Sequence, residues 1–159
     1  MPPHLVIDAY NYIMRTSLAG ADLETSRDML LDQLAEYRVQ KAIRITAVFD
    51  AARGIHLARS RTNYKGIEVI YSGRNESADD VILEMIRSRP AGLVVVSSDR
   101  ALIDEAKRRG VSFMVPTRLE AALHGEDAEG EPGETERKGP SRRLPKKVRR
   151  SMRPLRKVR

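Results

Sequence analysis

Three apolar segments of this 159-residue chain end on an aspartate: LVID at Asp8, AVFD at Asp50 and VVVSSD at Asp99. A carboxylate at the end of a buried strand is costly unless it is paired, hydrogen-bonded or bound to a metal. If these segments are parallel strands, their carboxyl ends meet at one edge of the sheet, where ligands of open α/β sheets bind. We therefore expect the three aspartates to lie near one another.

A further acidic cluster, ESADD, contributes Glu76, Asp79 and Asp80 at the start of a predicted helix that leaves the same edge. Like charges this close raise the cost of ionising one another, and a divalent cation relieves the repulsion. Carboxylate, amide and water oxygens suit Mg²⁺ or Mn²⁺. The chemistry that such a site supports is metal-assisted hydrolysis of a phosphodiester.

Each acid also has a purely structural interpretation. Ser77 with Asp80 has the pattern of a capping box, which is the favoured interpretation for Asp80. Asp99 could cap the helix that follows it, and Asp50 could simply end a strand in a turn. Asp8 differs, because the following AYNYIMRTSLAG has no convincing helical pattern. The coincidence of all these acids at one edge favours a site.

The elements that must position these acids alternate between apolar runs and helical patterns, which is typical of a parallel α/β sheet. Strands are predicted at residues 5–7, 43–49, 67–71, 93–99 and 111–115. Helices are predicted at about 26–41, 77–87, 100–109 and 117–124, the last with a capping box of Thr117 and Glu120. Residues 52–66 are expected to form a basic connection.

Bulk composition excludes several classes. The chain has no cysteine, which excludes disulfides, thiolate zinc sites and cysteine nucleophiles. No signal-type amino terminus and no apolar run of roughly 20 residues is present, so we expect a cytoplasmic protein without membrane segments.

The net charge of +7 resides mainly after Gly125, where six acids are followed by 12 bases. This Pro-containing, highly charged segment has no apolar periodicity and cannot build a core. We expect one folded domain, 1–125, and a disordered acidic-then-basic tail, 126–159. The tail is predicted to bind RNA, ribosomal RNA included, through bases such as Arg142, Arg143, Lys146, Lys147, Arg149 and Arg150. The alternatives are that it binds an anionic membrane surface or folds back on the acidic site.

A second group of predicted RNA-binding residues follows Asp50 in the basic connection. The cations offer contacts to the RNA backbone, and an aromatic ring offers a face on which a base can stack. The alternative is a solvated connection whose charges only keep it soluble. The residues concerned are Arg53, Arg59, Arg61, Tyr64 and Lys65.

Four motifs in register, IDAYNYI, VFDA, ESADDVILEMI and VVVSSDRAL, together with the spacing to GIEVIYS, resemble the YacP-like NYN domain family, relatives of the PIN-domain nucleases. The resemblance covers roughly Leu5 to Leu123. It implies a PIN-like three-layer α/β/α sandwich with a mostly parallel central sheet. It also implies a metal-dependent endoribonuclease, associated with ribosomes in some members.

The resemblance also implies roles for individual residues. The family motif D-G-Y-N falls on 8–11, with Ala9 in place of glycine; E-T-A-D-[DE] falls on 76–80, which makes Asp79 the expected catalytic acid; and T-S-D falls on 97–99. Leu83 stands where the family often has a glutamate, so any ligand or substrate role of that glutamate is lost here.

The working hypothesis is an endoribonuclease in which Asp8, Asp79 and Asp99 hold one or two Mg²⁺ or Mn²⁺ ions. Asn11 orients Asp8 or the phosphate. The auxiliary ligands are Asp50, Glu76 and Asp80. The expected protein is a monomer or weak dimer that needs no nucleotide cofactor.

The main rival is a non-catalytic RNA- or ribosome-binding protein that acts through its basic tail. An aspartyl-nucleophile phosphatase ranks low because Tyr10 stands where a second aspartate is usual. Dinucleotide binding ranks lower still, since the chain has neither GxGxxG after the first strand nor GxxxxGK.

Overall fold

In the computed structural model, the described residues are 3–51, 58–88 and 90–125, and within them six β-strands and five α-helices follow one another along the chain. The strands are β1 (His4–Asp8), β2 (Arg44–Phe49), β3 (Ser60–Tyr64), β4 (Ile67–Tyr71), β5 (Leu93–Val96) and β6 (Ser112–Met114). The helices are α1 (Ala9–Arg15), α2 (Leu23–Lys41), α3 (Ala78–Ser88), α4 (Arg100–Arg109) and α5 (Pro116–Leu123), with a 3₁₀ helix at Ser17–Gly20.

One sheet joins the six strands in the order β3-β4-β2-β1-β5-β6. Every pairing is parallel except that of β3 with β4. The central position of β1 follows from its composition, because all five of its residues are buried and a strand covered on both faces reads as a continuous apolar run. The predicted α/β class with a mostly parallel sheet is confirmed.

Two layers of helices cover the sheet. Leu5 and Ile7 of β1 belong to one core cluster with α1, α2 and α5, whereas Val6 belongs to a second cluster with α3 and α4. This alternation is the period of two expected of a strand. The result is the predicted three-layer sandwich, in which Asp8, two residues after Val6, lies on the α3/α4 side.

The first helix corrects the sequence analysis, which assigned no helix to the segment after Asp8. Residues 9–15 form α1, and Ala9, Tyr12 and Ile13 are its buried residues. This i, i+3, i+4 spacing is a helical face, but over seven residues it is too short to stand out. Ala9 is fully buried in this helix, so no positive φ at this position requires the family's glycine.

The edge strand β3 is a second correction, because residues 60–64 lie in the segment expected to be a connection. Lys65 and Gly66 both have positive φ, 51° and 93°, and join β3 to β4 with Tyr64 opposite Ile67. A two-residue loop with two positive φ values is the turn that closes a β-hairpin. The pattern was missed because SRTNY has no apolar alternation.

Two helix starts also differ from expectation. Asp22 caps α2, accepting a hydrogen bond from Thr25 N at 2.8 Å, so that helix begins at Leu23. The capping box of Thr117 and Glu120 is wrong, because α5 begins one residue earlier, at Pro116, with no side-chain cap. Glu120 instead accepts a hydrogen bond from Ser17 N at 2.9 Å. Across the described ranges, no helix is both long and apolar enough to cross a membrane.

Candidate active site

The acidic candidates converge at the carboxyl edge of the sheet. β1 ends at Asp8 between β2 and β5, which run parallel to it. Asp50 follows β2, Asp99 follows β5 by three residues, and α3 begins beside Asp79. The charges of Asp79 and Asp99 both act on Asp8. The structure thus brings together the acids that the sequence placed at three strand ends and one helix start.

Asp8 is the most deeply buried of these acids, with only 7% of its surface exposed. It occupies the N-cap position of α1 but makes no side-chain capping bond; instead its Oδ2 accepts a hydrogen bond from Ser97 Oγ at 3.0 Å. Burial raises the pKa of Asp8 to about 7; the Ser97 bond opposes the shift, and the charges of Asp79 and Asp99 add to it. A carboxyl group held in this way favours a nearby cation.

Ser97 is a site residue that the sequence analysis left out of its candidates. It is 1% exposed, and its hydroxyl donates to Asp8 while accepting a hydrogen bond from the backbone N–H of Asp99 at 3.0 Å. One hydroxyl therefore ties the end of β1 to the loop after β5. The signal that could have found it is the serine two residues before the aspartate in VVVSSD.

Asp99 has the structural role that the sequence analysis allowed as an alternative. Its Oδ1 accepts hydrogen bonds from Ala101 N at 2.9 Å and Leu102 N at 3.3 Å and so caps α4. The same carboxylate acts on its acidic neighbours, since it raises the pKa of Asp79 both through its charge and through a side-chain hydrogen bond. Capping α4 thus places Asp99 beside Asp79.

Asp79 lies in the first turn of α3 and is partly exposed. Its pKa is raised, chiefly by burial and then by the charges of Asp99 and Asp80, the hydrogen bond with Asp99, and the charge of Asp50. Asp50 itself is exposed. Three acids therefore act on Asp79, and Asp79 in turn acts on Asp8.

The acids at this edge offer only oxygen donors. Within the part of the chain that the structure describes, no group of three or more His, Asp or Glu side chains is arranged to hold a metal ion by itself. Mg²⁺ is usually held by one or two carboxylates together with water and substrate phosphate. The carboxylate oxygens of Asp8 and Asp79, the two acids here whose pKa values are raised, fit such an ion.

Asn11 interacts with the loop after β5. Its Oδ1 accepts a hydrogen bond from Ser98 N at 2.8 Å, and its Nδ2 donates to Ser98 Oγ at 3.0 Å. Asn11 lies in the first turn of α1, three residues after Asp8, so this pair joins the backbone that carries Asp8 to the backbone that carries Asp99. The observed contact positions the loop.

Glu76 and Arg59, which the sequence analysis assigned to different roles, bind each other. Arg59 donates to both Glu76 oxygens at 2.7 and 2.9 Å, and Gly73 N donates to one of them at 2.9 Å. The Arg59 bond, followed by the Gly73 bond, lowers the pKa of Glu76 to about 2. Arg59 also bridges to Glu84 at 3.0 Å. The pair fastens the segment before β3 to the start of α3.

The interpretation of Asp80 as part of a capping box is confirmed. Its Oδ2 accepts a hydrogen bond from Ser77 N at 3.0 Å, and its own N–H donates to Ser77 Oγ at 3.2 Å, which is the predicted capping box. Leu83, one turn further along α3, packs against the core cluster on this side of the sheet.

The remaining basic candidates with described positions follow β3 away from the acidic edge. Since β3 is antiparallel to β4, Arg61, Tyr64 and Lys65 extend toward the amino ends of the parallel strands. Arg61 pairs with Glu68 at 2.6 Å. The Tyr64 hydroxyl donates to Asp32 at 2.6 Å, and Lys65 donates to the same carboxylate at 3.3 Å. Their contact with RNA stays a prediction.

Several candidates lie outside the described residues. These are Arg53, in the segment after β2, and the tail residues Arg142, Arg143, Lys146, Lys147, Arg149 and Arg150.

Comparison with known proteins identifies what this arrangement resembles. A family model, the YacP-like NYN domain, matches residues 5–157. The match continues through most of the charged segment after Gly125, which the sequence resemblance had not covered.

Proteins of Bacillus subtilis match in sequence and structure. The uncharacterized protein YacP of strain 168 is 33% identical over 88 residues, which is 53% of this chain and 51% of that protein, so the chain spans about half the length of this curated relative. A crystal structure of a mutant of Rae1 (YacP) superposes with a TM-score of 0.66 at 25% identity, covering 78% of this chain and 76% of that one. A second Rae1 (YacP) crystal structure gives a TM-score of 0.64 at 26% identity, with 79% and 75% covered.

Proposed function

The chain belongs to the YacP-like NYN domain family, and from this premise we propose that it is a divalent-metal-dependent endoribonuclease. The family match supports a nuclease role. The observation that carries the proposal is the mutual proximity of Asp8, Asp79 and Asp99, whose charges act on one another at the carboxyl edge of the sheet.

Asp8, Asp79 and Asp99 are the residues that would hold Mg²⁺ or Mn²⁺ in pairs. Such an ion supplies the means to activate water at neutral pH and to neutralise charge on a phosphate. Asp8 suits the role because its carboxylate is buried and oriented by Ser97. Asp79 suits it because it is partly exposed and so reaches a bound substrate.

The remaining acids would act indirectly. Asp50 contributes charge at the edge, whereas Asp80 serves its capping box. Glu76 accepts hydrogen bonds from Arg59 and Gly73, so a ligand role would require it to exchange those partners. The side chain of Asn11 would act by holding the Asp99 loop.

The proposed substrate is RNA, with ribosome-bound RNA as the first specific candidate because the family resemblance implies ribosome association in some members. In this scheme residues 1–125 form the nuclease domain and residues 126–159 form a basic arm for RNA. The 12 bases of that segment would attract phosphate backbones strongly at low salt.

The test compares cleavage of a mixed-sequence RNA by the wild type, Asp79→Asn and Asp104→Asn, each with Mn²⁺, Mg²⁺ or EDTA. Asp104 is exposed on α4 and serves as the matched control. Removal of a metal ligand takes away several kcal/mol of transition-state stabilisation, so Asp79→Asn should cleave at least about a hundredfold more slowly. RNA binding should be retained.

Two results would count against this proposal. Equal cleavage by Asp79→Asn and the wild type would remove Asp79 from the site. If neither free RNA nor a translating ribosome is cut by the wild type, the nuclease proposal fails, and an RNA- or ribosome-binding role takes its place.

A further inference from the structure

A large cavity opens at the amino edge of the sheet, at the opposite end of the strands from the acids. Its volume is about 900 Å³, and its walls come from the end of α2, the start of β2 and the β3–β4 hairpin. Ligand-binding clefts have volumes of roughly 300–1,000 Å³.

The cavity carries excess positive charge. Its charged lining residues are Arg38, Arg44, Arg61 and Glu68. Glu68 is engaged with Arg61 at 2.6 Å. Among the described residues, no carboxylate forms an ion pair with Arg38 or Arg44, so two guanidinium groups face the cavity without a counter-ion.

The charged wall is fixed by a polar chain that crosses four strands. Thr46 Oγ1 donates to Glu68 Oε1 at 2.8 Å, and Glu68 Oε2 accepts from Arg61. Since Thr46 has a single hydroxyl proton, His4 Nε2, 2.7 Å away, must be the donor to Thr46 Oγ1. Thr46 is 1% exposed and His4 is 8% exposed. Buried, satisfied polar groups of this kind hold one geometry.

The Arg38 guanidinium closely approaches the β3–β4 turn. A Cβ added to Gly66 would lie 2.6 Å from Arg38 Cζ. Glycine suits position 66 for two reasons. Its φ of 93° lies in the region that favours glycine, and the Arg38 guanidinium occupies the space that a side chain would fill. Arg38 on α2 and Arg44 on β2 thus line one concave surface from two different elements.

We propose that this cavity binds phosphate groups, with the RNA backbone as their source. Guanidinium groups bind phosphate through paired N–H donors, and Arg38 and Arg44 are the two available for it. The choice of RNA rests on the proposed function. Four residue steps along β1, about 13 Å, separate His4 from Asp8, so the cavity would hold a part of the strand away from the bond that is cut.

The test measures binding of a labelled 12-nucleotide single-stranded RNA to the full chain in EDTA, where metal-dependent cleavage cannot occur. Arg38→Gln/Arg44→Gln is compared with Arg15→Gln/Arg108→Gln. The control pair removes two charges outside the cavity and leaves Arg87 and Arg109 on Glu105. All variants keep the same tail, and thermal unfolding verifies that each is folded.

The cavity variant should bind RNA about three- to tenfold more weakly than the control. The slope of log affinity against log salt concentration should also become shallower, by about 0.7 for each phosphate that the protein no longer neutralises. Equal affinities and equal slopes for the two double variants would overturn RNA as the occupant of the cavity, and if the wild type also binds no phosphate, the site itself is overturned.

Direct binding of inorganic phosphate and of uridine monophosphate, measured by calorimetry in the absence of RNA, distinguishes the sources of the phosphate. If both bind the wild type and not the cavity variant while RNA affinity is unchanged, the phosphate site stands and its ligand is a free phosphate. Since none of these readouts uses cleavage, failure of the nuclease proposal and failure of this one are separate results.

Discussion

The side chain of Asn11 and the backbone of Ser98, 87 positions apart in the chain, are joined by a 2.8 Å hydrogen bond from Ser98 N to Asn11 Oδ1. A second hydrogen bond, from Asn11 Nδ2 to Ser98 Oγ, joins the same two residues. Asp8 and Asp99 are each within three residues of this pair. The distance between the two acids therefore depends on an amide that carries no charge.

Asn11→Ala should lower kcat with little change in the KM for RNA, because the loop carrying Asp99 would lose its anchor while the substrate surface remains. The Ser98 N–H would also lose its partner, so the free energy of unfolding should fall by about 1–2 kcal/mol. Single-turnover kinetics and urea unfolding measure the two effects. A raised KM at unchanged kcat would instead indicate direct contact between Asn11 and the phosphate, and exposed Asn75→Ala is the control.

Ser97→Ala should be more damaging, because one hydroxyl serves both Asp8 and Asp99 N. Leaving a buried carboxylate oxygen and an N–H without this partner costs about 1–3 kcal/mol of stability. Cleavage should fall as well, since Asp8 loses its orientation. Ser97→Thr keeps the hydroxyl and should restore most of the cleavage rate if it folds. Full activity of Ser97→Ala would show that Asp8 needs no such support.

The Arg59–Glu76 pair predicts a definite pH dependence. The folded-state pKa of Glu76 is lowered to about 2 from an ordinary 4.5, so its stabilising contribution is complete above about pH 4.5 and is lost as the pH falls toward 2. Glu76→Gln should therefore cost about 2 kcal/mol at pH 7, a value reduced for partial solvent exposure, and progressively less in acid.

Urea unfolding of the wild type and Glu76→Gln between pH 2.5 and 7 measures this difference. Glu84→Gln is the matched control, since Glu84 is the more exposed partner of the same arginine, and its effect should be smaller. A difference that stays constant with pH would show that the ion pair does not contribute.

Substitutions at two helix ends that share one backbone geometry should change the stability of the protein in opposite directions. Ala42 ends α2 with φ 56°, and Gly110 ends α4 with φ 72°, both in the left-handed region. Glycine adopts this region without the steric cost of a Cβ. Ala42→Gly should stabilise the protein by up to about 1 kcal/mol and Gly110→Ala should destabilise it by about as much, as measured by thermal unfolding. Shifts of the same sign would contradict this interpretation.

The central strands and the convergence of the acids were predictable because both depend on simple patterns. LVID and LVVV are apolar runs, and parallel strands bring their carboxyl ends together whatever their order. Likewise, Gly110 signals the end of α4 through its own chemistry. In each case a pattern of residue types along the chain indicates the structure that forms.

What the sequence did not reveal depends on contacts between distant segments. Ser97 looks like any serine at a strand end until Asp8 is placed beside it. The pairing of Arg59 with Glu76 could not be predicted, because it requires the position of the segment before β3 relative to α3. Strand β3 itself has no apolar face and forms through its hairpin turn and its pairing with β4.

The strand order determines when the acidic edge can form during synthesis of the chain. β1 is made before both of its partners, which are β2, some 40 residues later, and β5, nearly 90 residues later. Pairings this distant close only after the intervening chain exists and are entropically slow to form. Asp8 and Asp99 therefore meet only when most of the domain has emerged, so a partly synthesised chain carries no assembled acidic edge.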